Sequence, residues 1–208
     1  MKRFLLIVAL ALSITCVQAQ VPTEVSNIMA KCRQAMNPPT GIEYAMDAKT
    51  SMGPVSMMTI NFVIAQKGTM NRTKMTMKIM GKEVVSELGF DGSQHWEVSG
   101  DTITLSSQSD KDSDSDISLD LDKKYKKAKI KEKDGFYIIT FSEPYDKANE
   151  AKSITTKISA KNYVLREMKS SAKGAKMTMT FSKYRVGLKD DYFKLALNKY
   201  PNAVVIRK

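Results

Sequence analysis

The sequence predicts a mainly β domain, one large antiparallel sheet of about eleven strands behind a single amphipathic helix. Three observations carry that reading. Polar and apolar residues alternate in run after run from residue 42 to residue 185. Turn dipeptides (Asp91-Gly92, Gly100-Asp101, Asp134-Gly135, Lys161-Asn162 and Lys173-Gly174) separate several of the runs. Helical spacing is sustained only near the N-terminus, in residues 23–36.

The first residues, MKRFLLIVALALSITCVQAQ, read as a secretory leader. Lys2 and Arg3 form a charged start, Phe4 to Leu12 an apolar run too short to span a bilayer, and Val17-Gln18-Ala19 a small-residue cleavage site. Cleavage before Gln20 leaves residues 20–208 as a single domain, with localisation in the periplasm. Lipid anchoring at Cys16 is set aside, because Ser13-Ile14-Thr15 fits that processing site poorly. The full chain carries a formal charge of +11. The lysines sit at alternate strand positions, as solvated faces do, so the charge suits anionic surfaces and the reading excludes nucleic acid as a partner.

Thr23 to Met36 reads as the helix, since Val25, Ile28, Met29, Cys32 and Met36 recur at three- and four-residue spacing. Asn37-Pro38-Pro39 ends it, because proline has no amide hydrogen for the ladder. Cys32, the only cysteine left after cleavage, has no internal disulfide partner and reads as a small buried hydrophobe. Strands follow at 42–49, 55–65, 69–80, 83–90, 94–98 and 102–107. The stretch SSQSDKDSDSDISLDLD then breaks the rhythm. Counted from Asp110, its sixth and twelfth places hold Ser115 and Leu121 where a calcium loop needs glycine and glutamate. It reads as an acidic loop, 109–116, running into a short helix near 117–125. Strands resume at 126–132, 136–142, 153–160, 163–171 and 175–185.

Reactive chemistry is sparse. His95 is the only histidine and no local motif supplies a nucleophile for it. One His, one Cys and scattered acids do not make a metal site, and glycine-rich phosphate loops are absent. The residues favour a binding protein over an enzyme, with no catalytic residue, metal ligand or cofactor.

Methionine is the informative residue. In 69–80, Thr73, Met75, Met77 and Ile79 share one side, while Arg72, Lys74, Thr76 and Lys78 share the other. Met177, Met179 and Phe181 share a side in the last strand, as do Met58, Ile60, Phe62 and Ile64 in the second. One helix with one apolar stripe cannot cover a sheet of this size. Methionine adapts to irregular partners and is over-used on promiscuous binding surfaces. The residues alone leave a cavity for flexible acyl chains and an ordinary core both open.

The order of leader, helix and meander, with Phe90-Asp91-Gly92-Ser93-Gln94-His95-Trp96 inside it, resembles the LolA-type periplasmic lipoprotein carriers and their Asp-Gly-x-x-x-Trp hairpin. Arg72 falls where that family carries an arginine used in handling cargo. The ending, from Tyr163-Val164-Leu165-Arg166 through Phe181-Ser182-Lys183-Tyr184 to Tyr200-Pro201-Asn202-Ala203-Val204, is also similar. The chain departs from the family in having Thr73 after the arginine, and methionine and threonine where cavity aromatics are common.

The resemblance implies an incomplete antiparallel barrel of eleven strands, lidded by a long N-terminal helix and short helices over an apolar cavity. It implies a monomeric carrier of acylated lipoproteins or other lipids, working between an inner-membrane releasing complex and an outer-membrane acceptor. The alternative is an exported lipid-binding sensor or interaction domain of the same fold. The expected lipid-binding set is Arg72, Met58, Ile60, Phe62, Trp96, Met177, Met179 and Phe181. Alternation, however, puts Arg72 on the side opposite Met75 and Met77, unless a bulge intervenes.

Overall fold

The computed structural model describes residues 21–208 apart from 54, 80–81, 108–118, 149–150 and 173. The leader 1–19, Cys16 within it and the acidic run 109–116 lie outside the described residues.

Helix α1 (Thr23–Met36) has the bounds its periodicity predicts and buries Val25, Ile28, Met29, Cys32 and Met36. Each such side chain contributes roughly 1.5–3 kcal/mol when fully removed from water. The Asn37 amide still donates to the Arg33 carbonyl oxygen at 3.0 Å, and the two prolines after it stop the ladder. Arg33 ties the helix down, donating from Nη1 to Asp122 Oδ1 at 2.7 Å and to the Leu119 carbonyl oxygen at 3.1 Å. These acceptors flank and enter the short helix α2 (Leu121–Lys124).

The first six strands are β1 (Ile42–Met52), β2 (Val55–Lys67), β3 (Met70–Ile79), β4 (Lys82–Phe90), β5 (His95–Ser99) and β6 (Thr102–Ser106). The next five are β7 (Tyr125–Lys133), β8 (Phe136–Pro144), β9 (Ser153–Ser159), β10 (Leu165–Ala172) and β11 (Ala175–Val186). A twelfth, β12 (Val204–Arg207), lies parallel to β6. The order across the sheet is β12-β6-β5-β4-β3-β2-β1-β11-β10-β9-β8-β7. Two meanders therefore join where β1 pairs with β11, and the sheet is open, with β12 and β7 at its edges. The turn between β7 and β8 shows the local logic: Asp134 and Gly135 both have positive φ, 53° and 75°, as a two-residue hairpin turn requires.

Two expectations need correction. The sheet has twelve strands rather than eleven, because four residues at the C-terminus gain a partner only through β6, about a hundred residues upstream. The helix is not a long lid. Its fourteen residues span about 21 Å, against a sheet on the order of 50 Å across. The core under it draws on β1, β2 and β7–β11, and no described residue of β3–β6 joins it.

The opposite face of β2–β6 has its own cover, a strap formed by residues 187–203. Leu188 and Phe193 bury against Ala65, while Leu195, Tyr200 and Ala203 pack on Trp96, Val98, Ile103 and Leu105. Gly89 makes room for this layer, since a Cβ there would lie 2.5 Å from Trp96 Cζ2 and 2.8 Å from the Asn71 carbonyl oxygen.

Candidate functional site

Directly paired residues of neighbouring strands share a face, so the register shows what lies side by side. One row on the helix side runs Val84, Met77, Ile60, Ala48, Met179, Met168, Thr156, Ile139 and Ile130. The row on one side of it runs Ser86, Met75, Phe62, Met46 and Phe181. The row on the other side runs Met58, Thr50, Met177, Ser170, Ile154, Phe141 and Ala128. Methionines from five strands thus stand on one surface.

By the sizes of their side chains these rows have the profile of a trough. Ala48 and Thr50 of β1 form a low floor, Met58 and Ile60 of β2 one wall, and Met177 and Met179 of β11 the other. The two walls belong to strands two spacings apart, about 10 Å. At its inner end the trough meets the helix-covered core, where Met46 is 6% exposed and Phe181 2%. Outward it opens: Met58 is 49% exposed, Met177 40% and Met52, at the end of β1, 53%. Met75, Met77 and Leu88 continue the apolar surface over β3 and β4, half-buried and outside the helix-bound core. Unbranched side chains with small neighbours can rearrange around a guest more readily than β-branched ones.

Six of the residues expected from sequence, Met58, Ile60, Phe62, Met177, Met179 and Phe181, come together on this surface. Arg72 and Trp96 do not. The register of β3 is continuous with both neighbours, so no bulge turns Arg72 toward the methionines. It lies beneath the strap, where Nε donates to Glu87 Oε1 and Nη1 donates to the Tyr192 carbonyl oxygen at 2.8 Å. Its guanidinium carbon stands 5.5 Å from the Trp96 ring centre and 5.2 Å from that of Tyr192. Trp96 Nε1 donates to the Phe193 carbonyl oxygen at 3.0 Å, and the Tyr200 hydroxyl donates to Glu87 Oε2 at 3.1 Å. Burial, then the Glu87 charge, raises the Tyr200 phenol above its ordinary range. These two residues hold the C-terminal segment.

Sequence reading gave no site role to Glu87, Tyr192 or Tyr200. The available signal was a carboxylate on β4 sharing a face with Arg72 and Lys74. Arg72 is 15 residues from Glu87, but Tyr200 lies 113 residues away in the chain, so alternation alone could not bring the strap to this pair.

His95 stacks on Phe90 at 4.4 Å between ring centres. Among the described residues no group of three or more His, Cys, Asp or Glu is placed to hold a metal ion. No described helix is long and apolar enough to cross a membrane.

No protein-family model and no curated protein sequence matches the chain. Solved structures do. The chain is similar to an uncharacterized conserved protein from Thermus thermophilus, with a TM-score of 0.55 and 7% identity over 89% of this chain and 100% of that one. It is similar to the lipoprotein LppX from Mycobacterium tuberculosis, with a TM-score of 0.49 and 16% identity over 80% and 99% of the two chains. A LolA superfamily protein from Nitrosomonas europaea gives 0.42 and 10% over 82% and 97%. At these identities the likeness is one of fold alone.

Proposed function

We propose that the protein is an exported, non-enzymatic carrier that seats acyl chains in the methionine-walled trough of the helix face. The observation carrying this reading is the set of apolar side chains that the register of β2, β1 and β11 brings side by side, continuous with the core and open to water at Met58 and Met177. Burying ten methylenes there draws about 8 kcal/mol, a micromolar affinity before ordering costs are subtracted. An affinity of that order lets a carrier take up cargo and still release it. The open sheet and its helix act as an incomplete, lidded barrel, with α1 covering one end of the acyl site. The resemblance of the sequence to LolA-type carriers supports acylated lipoproteins as cargo and transfer from an inner-membrane complex to an outer-membrane acceptor.

The test is native mass spectrometry of protein recovered from the periplasm, joined to titration with a fluorescent fatty-acyl probe. Co-purifying lipid, and saturable binding lost in Met58→Asp/Met177→Asp, is the expected result. Protein that carries no lipid and refuses the probe overturns the carrier reading.

A further inference from the structure

On the face opposite the trough, the strap leaves a pocket of about 270 Å³ above β2–β4. Arg72, Lys74, Glu87, Tyr192, Lys199 and Tyr200 surround it, over an apolar floor from β2. Glu87 is spoken for: one oxygen accepts from Arg72 and the other from Tyr200. The Tyr192 hydroxyl donates to Glu43. Lys74 and Lys199, by contrast, pair with no carboxylate among the described residues, and Arg72 Nη2 has no hydrogen-bond partner among them. With Glu87 neutralised by Arg72, two uncompensated positive charges remain on the pocket wall. A concave site with spare cationic donors and aromatic sides is built for an anion that carries an organic part.

We propose that this pocket binds a phosphate ester, its phosphate held by Lys74, Lys199 and the free edge of the Arg72 guanidinium, its organic part against the Tyr192 and Tyr200 rings. A phosphate monoester carries about −1.5 to −2 charge and three strong acceptor oxygens. That matches the two spare lysines and the arginine better than a carboxylate does. The shared chemistry fits a lipid head group and a free phosphorylated metabolite alike. The site stands apart from the acyl trough, so it holds or fails independently of the carrier reading.

Trp96 is the only tryptophan of the chain, and Arg72 lies against it, so its emission reports this face and not the trough. The experiment titrates the full protein with sn-glycerol 3-phosphate, with dihexanoyl phosphatidic acid below its micelle concentration, and with acetate, following Trp96 emission and heat. Lys74→Glu/Lys199→Glu is compared with Lys129→Glu/Lys131→Glu, an equal charge change on exposed residues of β7. The expected result is saturable binding of a phosphate probe, weakened about tenfold or more by the pocket pair, as loss of a charged hydrogen bond implies, and little changed by the control pair. Binding of the lipid alone marks a head group, and binding of glycerol 3-phosphate marks a soluble ester. If the pocket pair is poorly folded, Lys199→Ala in the otherwise native chain serves in its place. Acetate binding as tightly, equal weakening in the control, or no saturable response from either phosphate probe overturns the proposal.

Discussion

Arg72 and Met75 lie three residues apart on β3 and face opposite sides of the sheet, the arginine under the C-terminal strap and the methionine on the helix side. One strand thus serves two layers that share no side chains. Changes on one face should leave the other's function standing.

Replacing Met58 and Met177 by aspartate should abolish most acyl-probe binding, by about tenfold or more, because each charge sits where a methylene chain would lie. Both residues are 40–49% exposed, so the change in folding free energy should stay within about 1 kcal/mol. Probe titration and urea unfolding on the same sample check both halves. Unchanged binding would place the acyl seat elsewhere.

Arg72→Ala should behave in the reverse way. It strips the nearly buried Glu87 carboxylate of its cation and frees the Tyr192 carbonyl, with a loss of about 2–4 kcal/mol in stability. Acyl binding at a temperature where the variant is folded should change little. A variant of native stability that no longer binds acyl probe would move Arg72 to the cargo site.

Gly89→Ala tests the fit between strap and sheet. The new methyl would collide with both the Trp96 ring and a backbone oxygen, and only the ring can move. A destabilisation of about 2–4 kcal/mol is expected, with a shifted Trp96 emission as the ring leaves its hydrogen bond to Phe193. Denaturant unfolding followed by fluorescence measures both.

Burial pushes the Cys32 thiol up to about 12, with the Arg33 charge acting in the opposite direction. The unfolded thiol loses its proton near pH 8.5, so above that pH the unfolded state binds fewer protons than the folded one. The thiol's contribution is fully present below about pH 8.5 and declines as pH rises toward 12, by at most about 1.4 kcal/mol per unit. Unfolding curves at pH 8, 9 and 10 should therefore fall more steeply for the native chain than for Cys32→Ala. Parallel curves would refute the shift.

Much of this architecture was legible beforehand. The α1 bounds follow from five apolar residues at helical spacing and two prolines. The face shared by Met75 and Met77 follows from the strand period of two, which no tertiary contact can change without a bulge. The turn at Asp134-Gly135 follows from residues that tolerate positive φ. The strap was not legible in the same way: Tyr192, Phe193 and Tyr200 have neither period to declare their side. β12 was too short to stand out beside its neighbours.

By itself, the sequence determined which side chains travel together, because alternation and helical spacing are properties of neighbours along the chain. It determined too that one fourteen-residue helix could not hide all the apolar strand surface. Only the tertiary structure decided which face each group would meet. Arg72 reaches the Tyr192 carbonyl across 120 residues of chain, and Trp96 the Phe193 carbonyl across 97. Such pairings arise when the whole sheet closes its register and the last segment folds back over it, and no local pattern records which face that segment will cross.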